Sequence, residues 1–442
     1  QATYLGSLVT HQRMYEACTK ATKPSCLSSI STGQLTLPAE LPQTIFTQTA
    51  NNAQNTSSLN YSQRSAAEKF KQMSSGTLLL QGPPGTGKTT TLTSVLADAA
   101  ATSTRTLVCA PSNKAVQVLA DRFYATKPEE KMILIGVQDK VPQGLKPISL
   151  HSWVDNLLGI LKDAANESRA LLTATAPKKK NEKRKPNDVI ISLSQISRLL
   201  VVSVHNEKLN RYAIAGNTET IRKIHDLIKA LKTLLTNQIQ LVDTGKFLDE
   251  YPTILPEISR ALTHLIHHIE SIKNKLSASR EEIESKLLNN ATIIFSTLSV
   301  SGRQAMLEMN DVNTLIVDEA GQSVEAETLI AFQHNPQKVL LVGDTKQLPA
   351  TVISQAAKDK HYDWSMMWRL AEECRQPSLM ITEQYRMHPE ICQWPSQRYY
   401  QGRLTTAASL TFNCSADGLN RPYAFYAMSA QQNKEGKVGN ST

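Results

Sequence analysis

The residues of this sequence best suited to chemistry are those that handle phosphate. Gly82-Pro83-Pro84-Gly85-Thr86-Gly87-Lys88-Thr89, with Thr90 behind it, is a full G-x-x-x-x-G-K-[ST] string. Gly82, Gly85 and Gly87 allow positive φ and let backbone N–H groups approach phosphate oxygens. Lys88 can reach the β- and γ-phosphates of a nucleotide, and the Thr89 hydroxyl can ligate Mg²⁺. A carboxylate pair follows in "TLIVDEAGQ": Asp318 can hold Mg²⁺ through its water shell, and Glu319 can orient and deprotonate an attacking water. Gln347, in "GDTKQLP", is a neutral amide that can sense a γ-phosphate without trapping product. Arg386, in "TEQYRMHP", is suited to meet a negative charge.

Elements must bring these groups together. The apolar run 78–80 reads as a buried parallel strand feeding the glycine loop, and a helical pattern follows the loop. The runs 315–317 and 339–342 read as further buried strands, ending at Asp318-Glu319 and Gly343-Asp344. In a parallel sheet, that C-terminal edge holds the ligand crevice. Asp-Glu is a common surface dipeptide, and a polar turn often follows a strand; the preceding apolar strands and the glycine loop raise both above those readings. The expected fold class is therefore α/β, a P-loop parallel sheet.

In this order, GPPGTGKT, "LVCAPSNKAVQVLADRF", DEAGQ, GDTKQLP and QYRMHP resemble the Upf-like, 5′-to-3′ branch of superfamily 1 helicases. "VDEAGQSVEAETL", "GDTKQLPATVIS" and "HYDWSMMWRL" are most similar to the senataxin family. The resemblance spans about 59–154 and 290–405. It implies two RecA-like domains, ATP and Mg²⁺ as cofactors, and single-stranded RNA, DNA or an RNA–DNA hybrid as partner. It implies that Gln63 reads the adenine edge, Tyr385 packs on the base, and Arg386 contacts the γ-phosphate from the second domain. It also implies that Pro111, Ser112, Asn113 and Thr297 touch the nucleic-acid backbone, where hydroxyls and loop amides grip without reading bases. Ala350 departs from the family, which usually has a second proline there. A AAA-type ATPase shares GPPGTGKT but lacks GDTKQLP followed by QYRMHP, and takes its arginines from a ring neighbour.

The interval between Thr89 and Asp318 is long for a compact core, and the excess lies at about 155–289. Ile221, Ile224, Ile228, Leu231, Leu235 and Val242, and then Leu262, Leu265, Ile269, Ile272, Leu276, Ile283 and Leu287, follow steps of three and four, a coiled-coil period. Gly and Pro breakers in 243–257 separate them, so two helices folding back as an antiparallel hairpin are expected, with a third at about 188–212. The hairpin could also dock a protein partner. The lysine-rich stretch 173–188 reads as a solvated loop, a nucleic-acid contact or a nuclear-import signal. His264, His267 and His268 have helical metal spacing but no further ligand run nearby.

Domain organisation is expected as a linker and stalk at 1–58, a first RecA-like domain at 59–154 and 290–380, the insertion at 155–289, and the start of a second RecA-like domain at 381–442. A chain of 442 residues exceeds one ordinary core. A formal charge of +9 weakly favours an anionic partner. No apolar run reaches membrane-span length, which argues against a membrane protein. The six cysteines form no CxxC pair and read as reduced thiols of an intracellular protein, nuclear if eukaryotic and senataxin-like, otherwise cytoplasmic. The start at Gln1, with no signal peptide, suggests a fragment. The segment 4–21 resembles the family's passage from an accessory β-barrel into the core. Motifs that the family carries after QYRMHP, including a second arginine, are not found. The expected function is an ATP-dependent helicase or translocase; the alternative is an ATP- or RNA-binding module without motor activity.

Overall fold

The computed structural model describes residues 8–20, 59–136, 141–152 and 280–411, with scattered single positions between 30 and 270. Most of the expected hairpin, the third helix expected at about 188–212, the lysine-rich stretch, His264 and His268, and residues 412–442 lie outside the described residues.

Seven short apolar segments form one all-parallel sheet. They are β1 (Gly76–Gln81), β2 (Thr106–Ala110), β3 (Met132–Ile135), β4 (Ile293–Thr297), β5 (Thr314–Val317), β6 (Lys338–Gly343) and β7 (Leu379–Met380). Their order across the sheet is β3-β4-β2-β5-β6-β1-β7. Near-continuous apolar strands are what a sheet covered on both faces requires. Alternate residues serve opposite faces: Leu79, Leu107, Ile294, Leu315 and Leu341 join one core. Leu78, Leu80, Val108, Ile316 and Leu340 join the other. Full burial of each such side chain stabilises by about 1.5–3 kcal/mol.

Helices α1 (Val9–Lys20), α2 (Tyr61–Gln72), α3 (Lys88–Ala101), α4 (Asn113–Thr126), α5 (Arg280–Asn290) and α6 (Glu325–Phe332) surround this sheet. Helix α2 starts with a capping box: Asn60 accepts from the Gln63 amide, and the Gln63 side chain accepts from Asn60. Helix α1 packs Met14 and Ala17 against Val324 and Ile330. Its Arg13 donates to the Ser299 carbonyl at 2.7 Å.

One expectation is corrected at α5. The heptad pattern put Leu287 on the seam of the projecting hairpin. Instead Leu287 and Leu288 are buried in the sheet core. Arg105, just before β2, ties this helix end down by donating to the carbonyls of Leu288 at 2.6 Å and Asn289 at 2.9 Å. A period of 3.5 marks an apolar stripe without saying which surface covers it, and here the sheet does.

Past β7 the chain leaves the large sheet. Strands β8 (Glu383–Gln384) and β9 (Thr405–Thr406) pair in parallel, linked by helix α7 (Pro389–Tyr400). Cys392, Tyr400 and Leu404 form the small core beneath them. This second unit lies beside the C-terminal end of β1, where Ile381 donates to the Gln81 carbonyl at 2.9 Å.

Candidate active site

Strand β1 ends at the glycine loop, and the loop geometry explains its composition. Gly85 and Gly87 adopt φ of 75° and 79°, a left-handed region costly for other residues. A Cβ on Gly85 would stand 2.5 Å from the Arg386 Cβ, and one on Gly87 would stand 2.5 Å from Gln63 Nε2. The loop is therefore clasped from both sides, with Gln63 against Gly87 and the second unit against Gly85. Gln63 Nε2 donates to the Thr86 carbonyl at 2.8 Å, and Tyr385 N donates to the Gly85 carbonyl at 2.8 Å.

These contacts border an open cleft of about 790 Å³. Gln63, Pro83, Gly85, Thr86, Gly87, Lys88, Thr89 and Thr90 line one side, and Glu319, Tyr385 and Arg386 also face it. Most of the residues singled out for nucleotide chemistry thus meet in one place. Asp318 and Gln347 stand outside the lining, as do Gly82 and Pro84. Gly82 holds the root of the loop, where its N–H donates to the Gly343 carbonyl at 2.8 Å and its carbonyl accepts Lys88 Nζ at 3.0 Å. Gln63 has much of its amide committed to the loop and to the α2 cap, which makes it a support of the loop as well as a candidate base reader.

Asp318 and Glu319 leave the end of β5 in different conformations. Asp318 is buried, and its Oδ1 accepts from the Glu319 amide at 2.9 Å. Burial, with Glu319 beside it, pushes the Asp318 carboxyl up to about 6, against the opposing pull of Lys88. Glu319 sits at φ 52°, a left-handed non-glycine residue of the kind that concentrates at functional sites. Its Oε1 lies 3.8 Å from Lys88 Nζ, and its Oε2 accepts from Gln322 at 3.1 Å. The carboxylate of Asp318 and the hydroxyl of Thr89 are hard oxygen donors, the set that Mg²⁺ selects. The residues therefore fit a nucleotide with its Mg²⁺.

The candidate nucleic-acid contacts gather on the same sheet edge. Strands β2 and β4 pair with Ala110 opposite Thr297, which sets Pro111, Ser112 and Asn113 beside Thr297. Ser112 caps α4, accepting from Ala115 N at 3.2 Å, and is exposed. Thr297 is buried, and its hydroxyl accepts from Val300 N at 3.4 Å. Its hydroxyl shapes the turn after β4; the neighbouring exposed groups are better placed to meet a phosphate.

A family model described as AAA domain matches residues 58–355, and a second with the same description matches 362–442. Human probable helicase senataxin is 28% identical over 383 residues, covering 79% of this chain and 13% of its own length. The chain belongs to the Upf-like superfamily 1 helicases. Probable helicase MAGATAMA 3 of Arabidopsis thaliana is 30% identical over 360 residues, 77% of this chain and 38% of the relative. DNA-binding protein SMUBP-2 of Mesocricetus auratus is 25% identical over 336 residues, 75% of this chain and 26% of the relative. The chain thus spans well under half the length of these relatives.

Two further residues shape the site. Arg122, on α4, lines the same cavity; it lies inside the "LVCAPSNKAVQVLADRF" string, which draws attention to Pro111, Ser112 and Asn113 instead. Gln384 is fully buried and shapes the turn that presents Tyr385 and Arg386: its Oε1 accepts from Arg386 N and Met387 N, both at 2.7 Å. Its Nε2 donates to the Met387 carbonyl at 2.7 Å and to Thr406 at 2.6 Å. Its place beside Tyr385 in QYRMHP was the available signal. Cys18, Cys109, Cys374 and Cys392 are free thiols, and no described helix is long and apolar enough to cross a membrane. Among the described residues no cluster of His, Cys, Asp and Glu suits a metal by itself.

Proposed function

We propose that this chain forms the ATPase core of a nucleic-acid helicase or translocase that couples ATP hydrolysis to 5′-to-3′ movement along single-stranded RNA or DNA, nuclear in a eukaryote. The observation that carries the proposal is the cavity itself. It joins the Lys88 loop and Glu319 of the large sheet to Tyr385 and Arg386 of the second unit. A nucleotide held there touches two units whose separation it can change.

The geometry supports the following roles. Loop amides and Lys88 hold the β- and γ-phosphates, and Tyr385 offers its ring to the base. Glu319, fixed by its backbone conformation, orients the attacking water and takes its proton as the water attacks the γ-phosphate in line. Thr89 directly, and Asp318 through water, would hold Mg²⁺, which supplies charge neutralisation at the phosphates. Arg386 and Lys88 balance the charge that develops on the transferred group, the largest source of acceleration in phosphoryl transfer. Closure of the second unit then alters the grip along the β2–β4 edge. Family matches on both 58–355 and 362–442 favour a motor over the alternative of a passive binding module.

The test is nucleic-acid-stimulated ATPase in the full-length protein. Lys88→Ala and Glu319→Gln should each abolish it, with Glu319→Gln retaining ATP binding. Full turnover in either variant refutes the assignment.

A further inference from the structure

Asp344 is a carboxylate only 3% exposed that lies at the end of β6 and outside the nucleotide cavity, yet it collects donors from three separate elements. Its Oδ1 accepts from Gln81 Nε2 at the end of β1, and from the Lys346 amide at 3.0 Å. Its Oδ2 accepts from Gln347 Nε2 at 2.7 Å and from the Tyr400 hydroxyl at 2.7 Å. Tyr400 closes α7, in the unit that carries Arg386, and its ring is buried with Cys392 and Leu404. Burial first, and then the Asp344 carboxylate, push the Tyr400 hydroxyl well above its ordinary range. Tyr400 is therefore a proton donor throughout physiological pH.

Two donors share one oxygen: Gln347 from the loop after β6, and Tyr400 from the unit that carries Arg386. Gln347 lies outside the cavity lining, so contact with a γ-phosphate requires its amide to turn away from Oδ2. A buried carboxylate stripped of donors is costly. We propose that Tyr400 is a positioning residue: by holding Asp344 Oδ2 it ties the Arg386-bearing unit to the Gln347 loop and keeps Asp344 satisfied when Gln347 turns to the γ-phosphate. The inference rests on the ATPase reading above. It makes Asp344 the joint through which the phosphate sensor and the second unit respond to each other. Tyr400 lies outside the cavity lining, so its loss is felt in turnover and leaves ATP capture intact.

The experiment compares Tyr400→Phe, Gln347→Ala and the double variant in the full-length protein, with kcat and KM for ATP measured under saturating single-stranded nucleic acid. Phe keeps the buried ring and removes only the hydroxyl. Loss of a hydrogen bond to a carboxylate should lower kcat about ten-fold in Tyr400→Phe. KM for ATP should stay unchanged, and the double variant should fall by more than the product of the two single losses, because Oδ2 then keeps neither donor. An unchanged kcat, a rise confined to KM, or losses that do no more than multiply in the double variant would each overturn the proposal. Should Tyr400→Phe not fold, Asp344→Asn is judged on the same split between kcat and KM. A wild-type protein without ATPase activity overturns the proposed function, and this inference with it; an active wild type matched by Tyr400→Phe overturns the inference alone.

Discussion

At the scale of single residues, two glycines outside the glycine loop set the distance between β5 and β6 at their C-terminal ends. A Cβ on Gly321 would come within 2.9 Å of the Asp344 carbonyl, and one on Gly343 within 2.8 Å of the Gly321 amide. Backbone meets backbone here, so no flexible side chain can move aside. The contact holds Glu319 near Lys88 and keeps Asp344 beside Gln81. Gly321→Ala is expected to destabilise the protein by about 1–3 kcal/mol through overpacking. It should also lower ATPase more than a surface alanine substitution of equal stability cost. Chemical denaturation paired with ATPase assays measures both; a variant with wild-type stability and turnover would show that the strand ends tolerate the extra atom. "DEAGQ" and "VGDTKQ" displayed these glycines in plain view, but nothing in either string says that they face each other. That fact belongs to the pairing of β5 with β6 in register.

At the scale of elements, the strands were legible because a parallel sheet demands apolar runs on both faces, and 78–80, 315–317 and 339–342 each lie inside an observed strand. Less legible was which helices brace the sheet. His334, just past α6, is buried and its Nε2 donates to the Ser301 carbonyl at 2.9 Å, joining α6 to the turn after β4. A lone histidine in sequence carries no sign of that bridge. Burial lowers its pKa, with Arg105 adding to the effect against the Ser301 bond. Its unfolded value is about 6.5. The native state thus favours neutral imidazole, and the stabilisation is complete above the unfolded value. It is lost as pH falls from there through the lower folded value. His334→Gln should flatten this part of the acid limb. Unfolding midpoints taken against pH should show a gap between wild type and variant that narrows as pH drops below about 6.5. A gap that widens on acidification contradicts the burial argument.

At the scale of the whole molecule, the cavity proposed for the nucleotide belongs to neither unit alone. The glycine loop, Lys88 and Glu319 come from the large sheet, Tyr385 and Arg386 from the unit built on β8, β9 and α7. Motif order in the sequence announced both halves, because each motif is a local string with a local conformation. What it could not announce is the joint, since Gln63 against Gly87, Arg386 against Gly85 and Tyr400 on Asp344 unite residues far apart in the chain. A ligand that binds across such a joint stabilises both sides at once, by mass action. At a hundred-fold excess over its Kd, ATP with Mg²⁺ should add about 2.7 kcal/mol to unfolding and raise Tm accordingly. Lys88→Ala should erase most of the rise, because the phosphates lose the lysine that lines the cavity. Tyr385→Ala should reduce the rise by weakening the proposed base contact, and a chelator added to wild type should reduce it by removing the Mg²⁺ proposed for Thr89 and Asp318. Thermal unfolding of the full-length protein, followed by tryptophan fluorescence, reads all three. An undiminished rise in Lys88→Ala would mean that the stabilising nucleotide binds elsewhere, and with it the two-unit site would lose its claim to be where ATP acts.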